Sequence, residues 1–152
     1  MNLQMEINSL KQRISELEEQ VKQEKEFPQY GKNYWYVDDD AEVTDSEWDG
    51  GDWDQVRMSV GNVFKTKEQA EFAVEKLKVE AEFRKFSRPF KCGEINHYIF
   101  LNTDNECLDV VGLSYSQYQG TIYFENEDKA QQAIESVGEH RIKKYIFGVG
   151  DL

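Results

Sequence analysis

The chain has few cysteines and no long run of apolar residues, and each scarcity excludes a class of protein. Two cysteines, Cys92 and Cys107, cannot build a disulfide framework, so we expect a protein of a reducing cytoplasm. No apolar stretch approaches the roughly 20 residues that span a bilayer. The N-terminus lacks the basic-then-apolar pattern of a secretion signal. These absences predict a cytoplasmic protein that does not cross a membrane.

The sequence also lacks the motifs of common catalytic and metal sites. It has no glycine-rich phosphate loop, no pair of carboxylates that stands out as acid and base, and no cysteine marked as an activated nucleophile. Cys92, His97, Cys107 and His140 are the candidate zinc ligands, but they lack the short spacings of zinc sites. We therefore expect no enzymatic activity, no cofactor and no metal.

Basic residues are scarce relative to acidic ones. The chain has 18 Lys and Arg against 30 Asp and Glu, which gives a formal charge of −12. Such a surface repels nucleic-acid phosphates and favours basic partners, although solubility alone would also explain it. Direct binding of nucleic acid is accordingly disfavoured.

The first 26 residues carry an apolar stripe spaced alternately by four and three residues. Its members are Leu3, Ile7, Leu10, Ile14, Leu17 and Val21. β-Branched residues at the a positions with leucine at the d positions favour a parallel two-stranded coiled coil. The alternative is a helix that packs this stripe on its own domain. We expect a homodimer held by residues 1–26.

The remainder of the chain contains one segment twice, about 60 residues apart. Residues 63–77 align with residues 123–137. The alignment matches Phe64 with Phe124 and Leu77 with Val137. Each copy has a strand end, a capping residue (Thr66 or Asn126) and an amphipathic helix.

The strand patterns around these copies predict a repeated unit. Each unit has a hairpin, with strands at 34–37 and 41–44 or at 97–101 and 106–113. A loop, a third strand (57–64 or 120–124) and the helix follow. A strand or helix is expected over 142–149. The predicted fold is α+β, an N-terminal coiled-coil helix (1–27) followed by a duplicated ββ-loop-βα domain, whose units, 28–93 and 94–152, form one globular domain.

Acidic residues are densest over residues 38–54, where two tryptophans interrupt them. The segment supplies our candidate partner-binding residues: Asp38, Asp39, Asp40, Glu42, Asp45, Glu47, Trp48, Asp49, Asp52, Trp53 and Asp54. Aromatic residues anchor protein interfaces, and charges steer the encounter. The segment therefore predicts a surface for a basic protein. A solvated loop with its tryptophans folded onto the core is the alternative.

Two further interpretations involve small ligands. Asp38, Asp40 and Glu42 have the spacing of the first ligands of an EF-hand, but Val43 replaces its glycine and Asp49 its last glutamate. Basic residues at the ends of the two units could contact a nucleotide or single-stranded nucleic acid, together with the tyrosines of the 114–118 loop. These basic residues are Arg84, Lys85, Arg88, Lys91, Arg141, Lys143 and Lys144. Favourable charge at a helix C-terminus would also explain them.

Two resemblances add expectations. Residues 120–134 resemble the third strand and second helix of an RNA-recognition motif, which would place Phe124 in a base-stacking strand. The recurrence of the pattern at Phe64 favours instead a common strand-to-helix junction. Residues 30–150 resemble small accessory proteins of phages and prophages of Gram-positive bacteria. The segments 61–78 and 141–145 carry this resemblance.

The phage resemblance implies a protein that acts inside a bacterial host. In that context, small acidic proteins often disarm nucleic-acid-handling defences such as CRISPR effectors. The leading hypothesis is a dimeric, non-enzymatic inhibitor that binds the basic surface of such a protein through the acidic segment. The alternatives are a module for nucleotides or single-stranded nucleic acid, and a protein whose only activity is oligomerisation.

Overall fold

The computed structural model describes residues 2–150, except for the side chains of residues 23–25. Within that range the fold is mixed α+β, with five helices and two antiparallel sheets. The α+β class predicted from sequence is therefore confirmed. Contacts divide the chain into two compact units, the first ending at Ala70 and the second beginning at Glu71. The sequence boundary at residues 93 and 94, which separates the two repeats, remains a prediction.

The first unit begins with helix α1, Leu3–Lys25. The side chain of Asn2 caps it by accepting a hydrogen bond from the N–H of Gln4 at 3.2 Å. A hairpin follows, made of β1 (Asn33–Val37) and β2 (Val43–Glu47), paired from Asn33–Glu47 to Val37–Val43. The predicted N-terminal helix and first hairpin are thus confirmed, but the second strand begins at Val43 and not at the predicted residue 41.

The segment after this hairpin differs from the prediction. We expected a loop over 45–56 and a strand over 57–64, but residues Asp52–Ser59 form helix α2. Two carboxylates in its first turn and Arg57 in its last turn suit the helix dipole. The alternating apolar residues Met58 and Val60, which mimic a strand, are exposed.

The side chain of Asn62 makes the hydrogen bonds to β1 that a neighbouring strand would otherwise make. Its side-chain oxygen accepts a hydrogen bond from the N–H of Val37 at 2.8 Å, and its side-chain nitrogen donates to the carbonyl of Val37 at 2.7 Å. The backbone of Phe64 then forms an isolated bridge with Trp35. The Asn62 side chain and the bridge at Phe64 thus provide hydrogen-bond partners for backbone groups of Val37 and Trp35 on the edge of β1.

The two capped helices agree with the predictions. Helix α3 spans Lys67–Arg84, and Thr66 and Gln69 form a reciprocal capping box at 3.2 and 3.4 Å. Helix α4 spans Glu127–Val137, and the Asn126 side chain accepts from the N–H of Lys129 at 2.8 Å. The boundary between the two compact units falls within the first turn of α3.

The second unit contains a four-stranded sheet. Its strands are β3 (Ser87–Arg88), β4 (Asn96–Asn102), β5 (Cys107–Leu113) and β6 (Tyr123–Phe124), in the order β3-β6-β4-β5. The predicted third strand is shorter than expected, and the last predicted element is helix α5, Glu139–Tyr145. The buried core joins Val79 and Phe83 of α3, Phe124, α4 and Ile142.

Equivalent residues of the two sequence copies occupy equivalent places locally. Phe124 pairs with His97 of β4, as Phe64 pairs with Trp35 of β1. The copies differ elsewhere, because Val137 is buried whereas Leu77 is exposed. The two hairpins also belong to separate sheets, β1 with β2 in one and β4 with β5 in the other.

Replacing Asn62 with alanine should destabilise the first unit by about 1–3 kcal/mol, because the backbone N–H and carbonyl of Val37 lose their partners. Urea denaturation followed by circular dichroism would measure the loss. Asn8, exposed on α1, provides the matched control, and Asn8→Ala should change stability by less than about 0.5 kcal/mol. Equal effects of the two substitutions would contradict the assignment.

Candidate partner-binding site

An open groove lies where β2 ends and α2 begins. We call it the acidic groove. It has a volume of about 610 Å³, and its lining residues are Ser46, Glu47, Asp49, Gly51, Asp52, Trp53, Asp54 and Arg57. Four carboxylates and one guanidinium give this surface a formal charge of −3. The groove therefore attracts cationic groups.

Asp54 is the structural centre of the groove wall. It is only 4% exposed, and one carboxylate oxygen accepts the hydroxyl of Tyr34 at 2.5 Å. The other oxygen accepts the N–H groups of Asp49 and Gly50 at 2.8 and 3.0 Å. These bonds fasten the first turn of α2 to β1 and to the loop between β2 and α2.

The environment of Asp54 determines its protonation. Burial opposes ionisation, but the hydrogen bonds from Tyr34, Asp49 and Gly50 outweigh it, so the pKa of Asp54 lies below its ordinary value. Burial and the bond to Asp54 raise the pKa of Tyr34. At neutral pH the pair is thus a carboxylate and a neutral phenol.

Arg57 completes this buried network. Its guanidinium donates to the hydroxyl oxygen of Tyr34 at 2.7 Å and lies 3.9 Å from the carboxylate of Asp54. It also lies 3.6 Å from the ring centroid of Tyr36, a cation–π contact. The charge of Asp54 is therefore matched inside the wall, and the net negative charge of the groove comes from Glu47, Asp49 and Asp52.

Two glycines shape the loop that holds these groups. Gly50 has a φ of 71°, in the left-handed region that favours glycine. A Cβ at Gly51 would lie 2.8 Å from a side-chain oxygen of Asp49, which accepts the N–H of Gly51. The loop can thus turn tightly enough to deliver two N–H groups to Asp54.

The two tryptophans of the acidic segment have different environments. Trp48 is half-buried and packs edge-on against Tyr34, with ring centroids 5.7 Å apart. Trp53 is 76% exposed and lines the groove. Trp53 can therefore anchor a partner, whereas Trp48 belongs largely to the wall.

The predicted acidic residues form two groups at opposite ends of the hairpin. The tip group contains Asp38, Asp39, Asp40 and Glu42, and the groove group contains Glu47, Asp49, Asp52 and Asp54. The strand between them spans about 13 Å at 3.3 Å per residue. Asp45 lies between the groups and accepts a bond from the side chain of Asn33 at 2.8 Å. The structure thus does not gather the predicted residues on a single site.

The tip and the four candidate zinc ligands do not form a metal centre. Asp38 accepts the N–H groups of Asp40 and Glu42, each at 2.9 Å, which closes the turn. Among residues 2–150, no group of three or more His, Cys, Asp or Glu side chains is arranged to hold a metal ion.

The apolar stripe of α1 lies on the surface of the chain. Its six members, Leu3, Ile7, Leu10, Ile14, Leu17 and Val21, are between 41% and 75% exposed. The stripe is therefore not packed on its own domain, so the alternative interpretation of it is wrong.

The basic residues predicted at the ends of the two sequence repeats all lie in the second compact unit, which begins at Glu71. Most of them are paired with acidic residues there. Arg141 bonds Glu82 at 3.0 Å, and Lys143 lies 2.8 Å from Glu139. Arg88 donates to the buried side chain of Asn96 at 2.9 Å. These pairings support a structural role and reduce the charge available to a nucleotide.

Sequence reasoning missed Tyr34 and Arg57 as parts of the site. Glycine followed by acidic residues at 51–54 is a helix-start signal that could have revealed α2. The three-residue spacing of Asp54 and Arg57 would then have placed both on one helix face. Nothing local in the sequence indicates Tyr34 as their partner.

No protein-family model, curated protein or solved structure matches this chain. The resemblance to phage accessory proteins therefore remains a prediction from sequence. None of the helices in residues 2–150 has both the length and the apolar composition to cross a membrane.

Asp54 should make the stability of the first unit depend on acid. Because its folded pKa is lowered, its contribution is present above its unfolded pKa of about 3.9 and is lost as the pH falls through the folded value. Asp54→Asn should lower the free energy of unfolding by about 3 kcal/mol at pH 7. It should also weaken the decrease in stability as the pH falls. Denaturant titrations from pH 2 to 7 would measure both effects.

Asp52→Asn, exposed on the same helix, is the matched control and should keep the acid dependence of the native chain. Identical pH profiles for the native chain and Asp54→Asn would show that this carboxyl is not bound as described.

Proposed function

We propose that the chain is a non-enzymatic binding protein whose acidic groove takes a basic segment of another protein. The observation that carries the proposal is Trp53, which is 76% exposed in a groove of net negative charge. A large exposed indole beside carboxylates is suited to anchor a cationic partner.

The chemistry of the groove favours arginine or lysine side chains. Glu47 and Asp52 are exposed and line the groove, so an incoming cation can reach both carboxylates. The indole of Trp53 would stack on a guanidinium, and the carboxylates would accept its hydrogen bonds.

The hydrogen-bonded network around Asp54 makes this groove suitable for binding. Trp53 directly precedes Asp54, whose carboxylate is held by three donors. A binding residue on a fixed helical turn loses little conformational freedom when a partner docks.

The sequence resemblance narrows the proposed partner. A phage protein of this charge would act in the bacterial cytoplasm on a host protein that handles nucleic acid, such as a CRISPR effector. Through the groove, the chain would bind the basic surface with which this effector contacts nucleic-acid phosphates. It would inhibit the effector by competing with nucleic acid for that surface.

The exposed stripe of α1 supports self-association as a second part of the proposal. A helix of this length with one exposed apolar seam gains stability by pairing with another such helix. We also propose that the two halves arose by duplication, which the equivalent pairings of Phe64 and Phe124 support.

A tyrosine cluster in the second unit favours one alternative function. Tyr115 is 82% exposed, and Tyr118 packs against Tyr98 with ring centroids 5.6 Å apart. Such rings could stack on bases of a nucleotide or a single strand. A thermal-shift screen with nucleotides would detect this ligand class through stabilisation.

The groove should bind an eight-residue arginine peptide, the simplest probe of its proposed chemistry. Trp53→Ala should weaken binding by about 2 kcal/mol, or about 30-fold, through loss of the aromatic anchor. Glu47→Gln with Asp52→Asn should also weaken it, more strongly at low salt. Isothermal calorimetry at two salt concentrations would measure these changes.

Asp39→Asn with Asp40→Asn provides the matched control, since it removes the same formal charge from the hairpin tip. This control should retain most of the affinity. Equal losses from the tip and the groove would mean that net charge alone attracts the peptide, and would overturn the groove as the site.

Self-association should depend on the stripe. Ile14→Asp should convert the dimer to a monomer, because it places a charge in the apolar seam. Gln12→Asp, on the outer side of the same helix, should leave the dimer intact. Sedimentation equilibrium of both variants, and of a chain lacking residues 1–26, would measure the change. A native chain that sediments as a monomer would exclude self-association.

A further inference from the structure

The exposed face of α1 has the residue pattern of a specific helix orientation. The layers alternate between β-branched residues, Ile7, Ile14 and Val21, and leucines. This arrangement of a and d positions favours parallel two-stranded coiled coils. Which occupant fits the face is then decided by the charges that flank it.

Charges beside the stripe are complementary between two parallel copies. In that arrangement Glu6 faces the partner's Lys11, and Arg13 faces the partner's Glu18. The two-fold symmetry repeats both pairs on the opposite side of the seam. All four flanking contacts are then between opposite charges.

An antiparallel pair would bring like charges together. Matching every apolar layer would set Leu3 against Val21, Ile7 against Leu17 and Leu10 against Ile14. Arg13 would then lie beside the partner's Arg13, and Lys11 beside the partner's Lys11. Each like-charged contact costs free energy that the parallel pair gains instead.

We infer that two copies of this chain pair through α1 in parallel and in register, so that one dimer offers two acidic grooves to a partner with repeated basic sites. The orientation of α1 follows from the seam and its charges alone. The two-groove consequence rests on the proposed function of the groove.

Parallel pairing gives the proposed binding a valency. Both chains leave the paired helices at the same end, and each continues into its own hairpin and groove. When one groove has bound, the second meets its target at an effective concentration set by the link, so the dimer binds a repeated site more tightly than one groove does. The partner that fits is a basic protein that is itself symmetric or that repeats its basic segment.

Engineered cysteines distinguish the two orientations. In a background with Cys92→Ser and Cys107→Ser, both exposed in the native chain, Leu17→Cys should oxidise to a covalent dimer. In an antiparallel pair the two copies of position 17 would lie about 15 Å apart, beyond the roughly 7 Å limit for a disulfide. Mixing Leu17→Cys with Ile7→Cys gives the opposite expectation, since those positions meet only in the antiparallel pair.

The expected result is rapid dimerisation of Leu17→Cys alone and almost no heterodimer in the mixture, separated on non-reducing gels by a size tag on one variant. Gln12→Cys, on the outer side of the helix, is the control and should not cross-link. A dominant heterodimer, or no cross-link in a chain that sediments as a dimer, would overturn the parallel orientation.

Loss of arginine-peptide binding in Trp53→Ala is read in a separate assay, so failure of the groove and failure of the orientation are distinguishable. The valency has its own readout, a dimeric basic peptide on a flexible linker. It should bind the native chain at least tenfold more tightly than it binds Ile14→Asp. Equal affinities would overturn the two-groove consequence and leave the orientation intact.

Discussion

The buried carboxylate of Asp54 is the interaction on which the first unit depends. Three donors from two separate segments converge on it, namely the hydroxyl of Tyr34 and the N–H groups of Asp49 and Gly50. A buried anion is stable only when it is fully hydrogen-bonded, and here the bonds also join α2 to the hairpin. The backbone of exposed Trp53, the residue before Asp54, is positioned by this bond set. A structural anion thus holds a surface aromatic in place.

The sequence predicted the elements that local signals specify and missed those that distant contacts specify. Thr66, Gln69 and Asn126 cap their helices through neighbours three residues away, so spacing alone revealed them. Helix α2 depends on a bond between Tyr34 and Asp54, 20 residues apart, and no local pattern records it. The prediction of a strand over 57–64 was wrong, and the sequence alone cannot show that Met58 and Val60 face solvent.

The sequence predicted which acidic residues and tryptophans belong to the segment, but not how they are arranged in space. Counting carboxylates found the acidic segment, yet hairpin pairing separates its members, since Val37–Val43 lies beside the turn and Asn33–Glu47 at the other end. Likewise, both tryptophans were expected to be anchors, and only burial distinguishes Trp48 from Trp53. Basic residues show the same limit in the second unit, where Arg141 is paired with Glu82, 59 residues away, a contact that sequence spacing does not reveal.

The separation of the two acidic groups suggests different contributions to one encounter. Exposed charges act over a Debye length, about 8 Å at physiological salt, so the tip group can attract a basic protein but cannot fix its register. In the proposed complex the groove group would act at contact, where Trp53 and the nearby carboxylates would limit how a bound cation leaves. Tip charges would thus affect mainly the association rate, and Trp53 mainly the dissociation rate. A salt-dependent rate of binding and a nearly salt-independent rate of release are the physical consequence of that division.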